Sequence, residues 1–425
     1  MDSLLPRRVL AWLVVLVMTA VLGISVASSL QQTPSPQTPP PPPPSWALPT
    51  PYPDRIILTW SDDPATTQSV TWRTDTSVTK AVAQIAPAGD GPNFTQQAKT
   101  VDAQTTPLQT DLGTAHYHSV TFRDLKPNTL YAYRVGDGTY WSEWFHFRTA
   151  SDRPQPFTFL YLGDAQNDIR SACLRVVRQA FLHYPDVLFV LHAGDLVNRG
   201  DRDIEWAEWF AMMGWMGATI PSLPTPGNHD YPRDAEGQRR LCAHWRAQFT
   251  LPENGIPTLK ETNYYVDVQG VRIISLNCME QREQQASWLE RVLEDNPNRW
   301  TIVFTHYPIF SSAQGRDNPE LRALWKPIFD KYRVDLVLQG HDHTYARSKP
   351  QPSGTVYVNS VTGPKMYKLN PQPWMHRSAQ DTQFYHLVHV NGNTLRFEAY
   401  TATGKLFDRF EIRKRPGRVN QVVDR

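Results

Sequence analysis

Short runs of alternating apolar and polar residues recur between Arg55 and Thr149, with turn-forming residues between them. Such alternation places one side of each run against a core and the other side toward solvent, which is typical of β-strands. The predicted strands are 56–60, 69–72, 81–85, 118–122, 131–135 and 144–147. Their spacing predicts an all-β sandwich in this part of the chain.

The pattern changes after Ser151, where apolar runs alternate with stretches of helical periodicity. The predicted strands are 157–162, 186–192, 271–276, 301–304 and 334–338, the predicted helices are 169–183, 204–213, 284–293 and 319–332, and β-hairpins are predicted over 355–412. An order of strand, helix and strand is typical of a layered domain in which helices cover a sheet. The expected fold class is therefore α/β, preceded by the all-β sandwich.

The N-terminal segment differs from both domains. An apolar run at 9–27 follows Arg7 and Arg8, which is typical of an export signal and also suits an uncleaved membrane anchor. Residues 31–53 are rich in proline, which favours an extended spacer. The predicted organisation is a signal peptide or anchor at 1–30, a linker at 31–53, a sandwich at 54–150, an α/β domain at 151–414 and a tail at 415–425. We expect the folded part to lie outside the cytoplasm, either periplasmic, secreted or anchored to a membrane through 9–27.

The composition argues against one class of partner, nucleic acid. The chain has 425 residues, with 43 lysines and arginines against 41 aspartates and glutamates, and no strongly basic run. This balance argues against nucleic-acid binding, so no nucleic-acid partner is expected. The 3 cysteines, Cys173, Cys242 and Cys278, are too few for a disulfide framework, and we expect them to be buried as small apolar side chains.

Polar clusters rich in metal-binding atoms follow the apolar strands of the second domain. They are Gly163-Asp164-Ala165-Gln166, Gly194-Asp195-Leu196-Val197-Asn198, Gly227-Asn228-His229-Asp230, Val303-Phe304-Thr305-His306 and Gly340-His341-Asp342-His343. Taken singly, each has an ordinary explanation, since Gly-Asp commonly caps a helix and a lone histidine often lies in a core. In α/β sheets, however, the carboxyl ends of the strands meet at one edge, where ligands bind. Together the clusters predict a single site.

The donor types in these clusters indicate a metal site. Carboxylates, an amide oxygen and imidazoles suit Zn, Mn or Fe, whereas calcium would prefer oxygen alone. The donors exceed what one tetrahedral metal needs, and a pair of metals that share a bridging carboxylate accounts for the surplus. Glycine before most of the donors lets the backbone turn sharply beside an ion.

The ordered set of clusters resembles the calcineurin-like metallophosphoesterase superfamily and, more narrowly, the purple acid phosphatases. The likeness covers roughly residues 55–414, and the stretches 305–308 (Thr-His-Tyr-Pro) and 340–347 (Gly-His-Asp-His-Thr-Tyr-Ala-Arg) are especially similar. The resemblance implies a layered α/β sandwich of two β-sheets flanked by helices, preceded by a domain similar to fibronectin type III. It also implies two divalent or mixed-valent metal ions as cofactors, Fe, Zn or Mn, whose identity stays open.

The resemblance implies a role for each matching side chain. The implied metal ligands are Asp195 as the bridge between both metals, Asp164 and His343 on the first metal, and Asn228, His306 and His341 on the second. His229 would lie beside the phosphate and stabilise the transition state or protonate the leaving oxygen. Asp230 would orient His229.

Two positions depart from the family pattern. Purple acid phosphatases have a metal-binding tyrosine where this chain has Asn198, and other superfamily members have a histidine where it has Gln166. Either residue is a possible extra metal ligand through its amide oxygen, with water as the alternative. Without the phenolate, we expect a weaker preference for iron(III) and no purple colour.

The implied function is that of an exported phosphohydrolase, which cleaves phosphomonoesters through hydroxide activated by two metals. The implied partner is a phosphate ester substrate. A phosphodiesterase of the same superfamily is one alternative, and a degenerate, non-catalytic binding protein of the cell envelope is the other. The natural substrate and the oligomeric state are not predicted.

Overall fold

The structure is a computed structural model and describes residues 42–425. The predicted export signal or anchor, and residues 31–41 of the predicted linker, lie outside the described residues. Within the described range, no helix has both the length and the apolarity needed to cross a membrane. The end of the predicted linker forms one helical turn, Ser45–Ala47, in which Ala47 is buried and its carbonyl accepts a hydrogen bond from Arg73 of the first domain.

The first domain is a β-sandwich. Its strands are β1 (Asp54–Thr59), β2 (Gln68–Thr74), β3 (Val82–Pro87), β4 (Lys99–Asp102), β5 (Gln104–Thr110), β6 (Gly113–Phe122), β7 (Leu130–Gly136) and β8 (Phe145–Arg148). They form two four-stranded sheets with the orders β1-β2-β6-β5 and β4-β3-β7-β8. Trp72 and Tyr133 are fully buried between the sheets. All strands predicted for this domain are present, while the likeness to fibronectin type III stays a prediction.

Sequence patterning missed two of the four edge strands of the sandwich. Strands β4 and β5 each lie at the edge of their sheet, and most of their side chains are exposed. An exposed edge strand needs few apolar residues, so it carries little of the alternation that identifies a half-buried strand.

The second domain contains the remaining elements. Its strands are β9 (Phe157–Leu162), β10 (Val190–Ala193), β11 (Ser222–Thr225), β12 (Tyr264–Val268), β13 (Val271–Leu276), β14 (Trp300–Thr305), β15 (Leu336–Gln339), β16 (Tyr345–Ser348), β17 (Val356–Asn359), β18 (Met375–Ala379), β19 (Phe384–Asn391), β20 (Thr394–Thr401), β21 (Leu406–Arg413) and β22 (Gln421–Asp424). Its helices are α1 (Leu174–His183), α2 (Asp203–Gly217), α3 (Ala243–Gln248), α4 (Arg282–Glu294) and α5 (Pro319–Tyr332).

These strands form two seven-stranded sheets, ordered β11-β10-β9-β19-β20-β21-β22 and β12-β13-β14-β15-β17-β16-β18. Strands β9 to β11 run parallel in the first sheet, and β13, β14, β15 and β17 run parallel in the second. One apolar core contains Phe159 of the first sheet and Phe304 of the second. Leu289 of α4 and Trp325 of α5 pack together with residues of the second sheet in another cluster. The layered α/β fold class is confirmed.

Several predicted bounds need correction. The predicted strand 186–192 is a strand only from Val190, because the preceding residues make isolated backbone bonds. The predicted helix 169–183 starts as one wide turn, Ile169–Cys173, and is α-helical only from Leu174. Helix α2 runs past its predicted end and is interrupted at Gly214, whose φ of 52° is a conformation that glycine adopts readily.

The C-terminal elements also differ from the prediction. The predicted hairpin region 355–412 begins with β17, which pairs antiparallel with the preceding strand β16 and, on its other side, in parallel with β15. The predicted tail 415–425 contains β22, which pairs antiparallel with β21 and so belongs to the first sheet of this domain. All three cysteines are buried and free, as expected.

A buried ion cluster joins the sandwich to helix α2. Asp203, at the start of α2, lies 2.7 Å from Arg55 of β1 and 3.2 Å from Arg73 of β2. His244 of α3 lies 3.2 Å from the same carboxylate. Since each charge is out of water, the loss of one partner would leave another charge buried without compensation.

Candidate metal centre

The polar clusters lie where parallel strands of both sheets end. The donors follow β9 (Asp164), β10 (Asp195), β11 (Asn228), β14 (His306) and β15 (His341 and His343). Because parallel strands end at a common edge, residues far apart in the chain meet there. The structure therefore brings together all the side chains that the sequence predicted as metal ligands.

Their metal-binding atoms form two overlapping groups. Asp195, His306 and His341 offer atoms that lie within 4.8 Å of one another, and so do Asp164, Asp195 and His343. Asp195 belongs to both groups. A carboxylate that bridges two ions must occupy this kind of shared position.

His306 lies at the centre of the group that includes Asn228. Its Nε2 is 3.2 Å from Asp195 Oδ2, 3.2 Å from Asn228 Oδ1 and 3.2 Å from His341 Nδ1. Imidazole nitrogens and carboxylate or amide oxygens are all donors to a divalent metal. The chemistry and the spacing of this group fit one ion.

Backbone carbonyls set the orientation of two imidazoles. His306 Nδ1 donates to the carbonyl of Ala193 at 2.9 Å, and His343 Nδ1 donates to the carbonyl of Lys365 at 2.8 Å. A carbonyl can only accept, so Nδ1 carries hydrogen in both rings. This leaves Nε2 of each ring to face the centre, as is usual for histidines that bind metals.

The charges of the centre favour a bound cation. Burial acts to lower the pKa of His306, but the carboxylates of Asp195 and Asp164 outweigh it and raise that pKa to about 10. Burial raises the pKa of Asp164 well above its usual range, and the nearby Asp195 raises it further. Burial lowers the pKa of His341 to about 2 and that of His343 to about 3, so both rings are neutral and able to ligate. The residues present thus fit a pair of metal ions.

Two glycines permit the close approach of the clusters. A Cβ atom at Gly227 would overlap Oδ1 of Asp195, and one at Gly340 would overlap Oδ2 of Asp164. In both cases the clash is with a candidate ligand. Any side chain at these positions would therefore displace a carboxylate from the centre.

His229 lies at the edge of the centre and is partly exposed. Its Nδ1 donates to the backbone carbonyl of Asn198 at 2.5 Å, and its backbone N–H donates to Asp195 Oδ1 at 2.8 Å. The ring is therefore held by a main-chain carbonyl on the neighbouring strand-end loop. Nε2 is the nitrogen that remains for contact with a substrate.

The structure gives Asp230 a different role from the predicted one. Its buried carboxylate accepts backbone N–H groups of Asp195 at 3.0 Å, Leu196 at 3.2 Å and Gly227 at 2.8 Å. Burial, together with the charge of Asp195, raises the pKa of Asp230 to about 8. The prediction that Asp230 orients His229 is wrong, and Asp230 instead ties the loop after β10 to the loop after β11.

The two positions that depart from the family pattern lie in different surroundings. Gln166 is fully buried in the centre, with Nε2 2.8 Å from Asp195 Oδ2 and 3.0 Å from His343 Nε2. Asn198 contributes its backbone carbonyl to His229, while the residue lines a neighbouring cavity of about 530 Å³. Of the two possible extra ligands, only Gln166 places its side chain among the candidate metal ligands.

Sequence motifs did not reveal a basic and aromatic side of the centre, next to His341 and His343. Arg316 donates to the carbonyl of His341 at 3.1 Å and lies 4.4 Å from the centre of the Tyr367 ring. The Tyr367 ring lies 4.6 Å from that of His343, whose Nδ1 donates to the backbone carbonyl of Lys365. The ammonium group of Lys365 lies 3.5 Å from Gln166. These residues come from the loops after β14 and β17, where the position after a strand end was the only available signal.

Known proteins resemble both domains. Residues 53–149 match the family model of the purple acid phosphatase N-terminal domain, and residues 157–345 match that of the calcineurin-like phosphoesterases. The chain is 25% identical to acid phosphatase type 7 of Homo sapiens over 423 residues, which cover 86% of this chain and 91% of the relative. It is 26% identical to purple acid phosphatase 21 of Arabidopsis thaliana over 261 residues, a match that spans 58% of either chain and so less than two thirds of that relative.

A solved structure shows the same fold. Purple acid phosphatase PPD1 from yellow lupin (Lupinus luteus) seeds superposes with a TM-score of 0.72 at 18% identity, covering 85% of this chain and 74% of the other. At this level of identity the likeness concerns the fold, including the order of a β-rich domain before the layered one.

Proposed function

This chain belongs to the calcineurin-like metallophosphoesterase superfamily, with the domain layout of the purple acid phosphatases, and from that premise we propose that it hydrolyses phosphomonoesters at a binuclear metal centre. A metal-dependent hydrolase of phosphate esters is the enzyme class that the family supports. The monoester preference and the roles of individual residues are our proposal.

The observation that carries the proposal is the sharing of Asp195 between two groups of donors. The proposed ligands are Asp164, Asp195 and His343 at the first position and Asp195, Asn228, His306 and His341 at the second. When bound, two such ions would supply Lewis acidity and a water whose pKa falls to about 7. The donor set suits Fe, Zn or Mn.

The protein's own contribution to the reaction is centred on His229. Since Nδ1 of His229 donates to the carbonyl of Asn198, the ring is held with Nε2 as its remaining polar atom. From the edge of the centre this nitrogen can donate a proton to the leaving oxygen of a phosphate ester. Asp195, which accepts the backbone N–H of His229, couples the position of that ring to the proposed bridge.

The basic side of the centre supports an anionic substrate. Arg316 donates to the carbonyl of the candidate ligand His341. The ammonium group of Lys365 lies 3.5 Å from Gln166, whose amide contacts the candidate ligand His343. Positive groups at this distance attract a phosphate dianion and favour its orientation toward the metals. A phosphomonoester carries one more ionisable oxygen than a diester and gains more from this charge.

The proposal is tested by comparing p-nitrophenyl phosphate with bis(p-nitrophenyl) phosphate, with the metal content measured on the same sample. We expect kcat/KM for the monoester to exceed that for the diester at least about tenfold, the contribution of roughly one charge interaction. A preference for the diester would identify a phosphodiesterase. Empty metal sites without turnover of either substrate would support the binding protein.

We also propose that the chain is exported, with residues 9–27 as signal or membrane tether. The support is the apolar run after Arg7 and Arg8 and the proline-rich spacer that follows. Fractionation of cells that express the full chain tests this. Recovery of the protein in the cytoplasmic fraction alone would refute export, and its molecular mass would show whether the signal is cleaved.

A further inference from the structure

Gln166 occupies the place where other superfamily members have a metal-binding histidine, but its surroundings are those of a hydrogen-bond donor. The side chain is fully buried between Asp195, His343 and Lys365. One end of the amide lies 2.8 Å from Asp195 Oδ2 and 3.0 Å from His343 Nε2, and the other end lies 3.5 Å from Lys365 Nζ.

The chemistry of these neighbours determines which end is which. The carboxylate of Asp195 only accepts hydrogen bonds, so the atom that faces it must be the amide nitrogen. The ammonium group of Lys365 only donates, so the atom that faces it must be the amide oxygen. In the reversed orientation, oxygen would face oxygen at Asp195 and nitrogen would face nitrogen at Lys365. Both neighbours therefore favour the same orientation of Gln166.

This orientation has a consequence for the first metal position. An amide nitrogen has no lone pair available for a cation, and Gln166 directs that nitrogen toward the donors of the first position. The protein then offers three donors there, Asp164, Asp195 and His343, against four at the second position.

We propose that Gln166 is a donor held in place by Lys365 rather than a metal ligand, so that the first position binds its ion more weakly than the second. This rests on the binuclear centre of the proposed function. Lys365 acts in two ways at this position. Its backbone carbonyl orients His343, while its ammonium group holds the Gln166 oxygen and adds positive charge beside the first ion.

The test is a calorimetric titration of the metal-stripped full chain with Zn²⁺, at a pH where the native protein is folded. We expect two binding events of unequal affinity. Gln166→Ala, which removes the side chain beyond Cβ together with its amide, leaves the weaker event unchanged within about threefold, since no ligand is lost. Gln166→Glu has nearly the same shape and supplies an anionic oxygen, so it strengthens the weaker event by about tenfold or more.

Lys365→Met tests the second part of the proposal. It removes the charge and the partner of the Gln166 oxygen but keeps the backbone carbonyl that holds His343. We expect the weaker event to strengthen several-fold, and the stronger event to change much less. Lys368→Met is the matched control, because Lys368 is an exposed lysine of the same loop, and neither event should change. Circular dichroism of each variant shows that it is folded.

Two results would overturn the proposal. A tenfold or greater loss of the weaker event in Gln166→Ala would make the amide oxygen a ligand. Two events of equal affinity in the native chain would remove the asymmetry. Absence of any zinc binding by the native chain would instead refute the binuclear centre on which the proposed function depends, so the two failures are distinguishable.

Discussion

Two buried clusters of charged groups in this protein have opposite balances. At the junction of the domains, Asp203 is surrounded by Arg55, Arg73 and His244. Burial acts to raise the pKa of Asp203, but the hydrogen bond from His244 and the guanidinium groups of Arg55 and Arg73 outweigh it and hold the pKa well below its usual range. The protein itself supplies the compensating charge, so this carboxylate stays ionised and structural.

At the strand ends the balance is reversed. Three buried carboxylates lie in the loops there, those of Asp164, Asp195 and Asp230. Their neighbours are mainly histidines and backbone N–H groups. Burial raises the pKa of Asp164 well above its usual range and, together with Asp195, that of Asp230 to about 8. Burial also acts to raise the pKa of Asp195, but His306 outweighs it and holds that pKa below its usual range. Buried carboxylates in this protein therefore have two different roles. Where arginine side chains lie beside the carboxylate, it forms a structural ion pair, and where none do, the site favours a bound metal ion.

Loss of Asp195 should produce the largest functional effect. Because Asp195→Ala removes the donor common to both groups, we expect turnover of p-nitrophenyl phosphate to fall to background and the metal content to fall with it. Elemental analysis and kinetics on one preparation measure both. Retention of native metal content and activity would contradict the role of Asp195 as the bridge.

Loss of His229 should separate chemistry from metal binding. His229→Ala should reduce kcat by roughly two to four orders of magnitude while the metal content stays native, because the ring contacts substrate rather than metal. The loss should be larger for an alkyl phosphate than for p-nitrophenyl phosphate, whose leaving oxygen needs less protonation. Full turnover at full metal content would show that His229 is not the proton donor.

Loss of Asp203 should lower the stability of the protein but leave its metal content unchanged. Asp203→Ala leaves Arg55 and Arg73 buried without their shared partner, so the free energy of unfolding should fall by about 3–5 kcal/mol. Urea unfolding measures this fall, and metal bound per folded chain should stay native. Asp201→Ala, at a neighbouring exposed position, is the control and should change stability by less than about 0.5 kcal/mol. Equal stability of both variants would mean that the junction cluster is not structural.

The pH dependence of stability should also differ in sign between the two clusters. Asp230 has its pKa raised by burial to about 8, so the folded, metal-stripped protein keeps a proton that the unfolded chain releases near pH 4. Its stability should therefore fall as pH rises from about 4 to 8. Asp203 has a lowered pKa, so its contribution is present above pH of about 4 and is lost as pH falls below that value.

The melting temperature of the metal-stripped chain should therefore be highest at mildly acidic pH and should fall toward both more acidic and more alkaline pH. Saturating zinc should remove the fall on the alkaline side and stabilise the protein by about 2.7 kcal/mol per ion at a hundredfold excess over Kd. In Asp203→Asn, the fall on the acidic side should become smaller while the alkaline side is unchanged. If the melting temperature depends on pH in the same way with and without zinc, the charge balance described for the centre is wrong.

Local pattern was enough to predict where the candidate metal ligands meet. Each candidate ligand stands within a few residues of the end of a buried strand, and the parallel order of strands makes such positions meet, so residue type and strand position together indicated the site. Patterning also predicted the sandwich, except for its polar edge strands β4 and β5. In both cases the signal is contained in a few consecutive residues.

The partners of polar side chains were decided only by the tertiary structure. Asp230 follows His229 directly, yet its carboxylate bonds to backbone N–H groups that include Asp195, while Asn198 holds the His229 ring. The orientation of the Gln166 amide is set by Asp195 and Lys365, which lie 29 and 199 positions away in the chain. A hydrogen bond depends on which donor and acceptor lie within about 3 Å, and separation along the chain carries no information about that distance. The sequence by itself therefore determined the types of ligand and their strand ends, and only the folded chain determined how each side chain is held and charged.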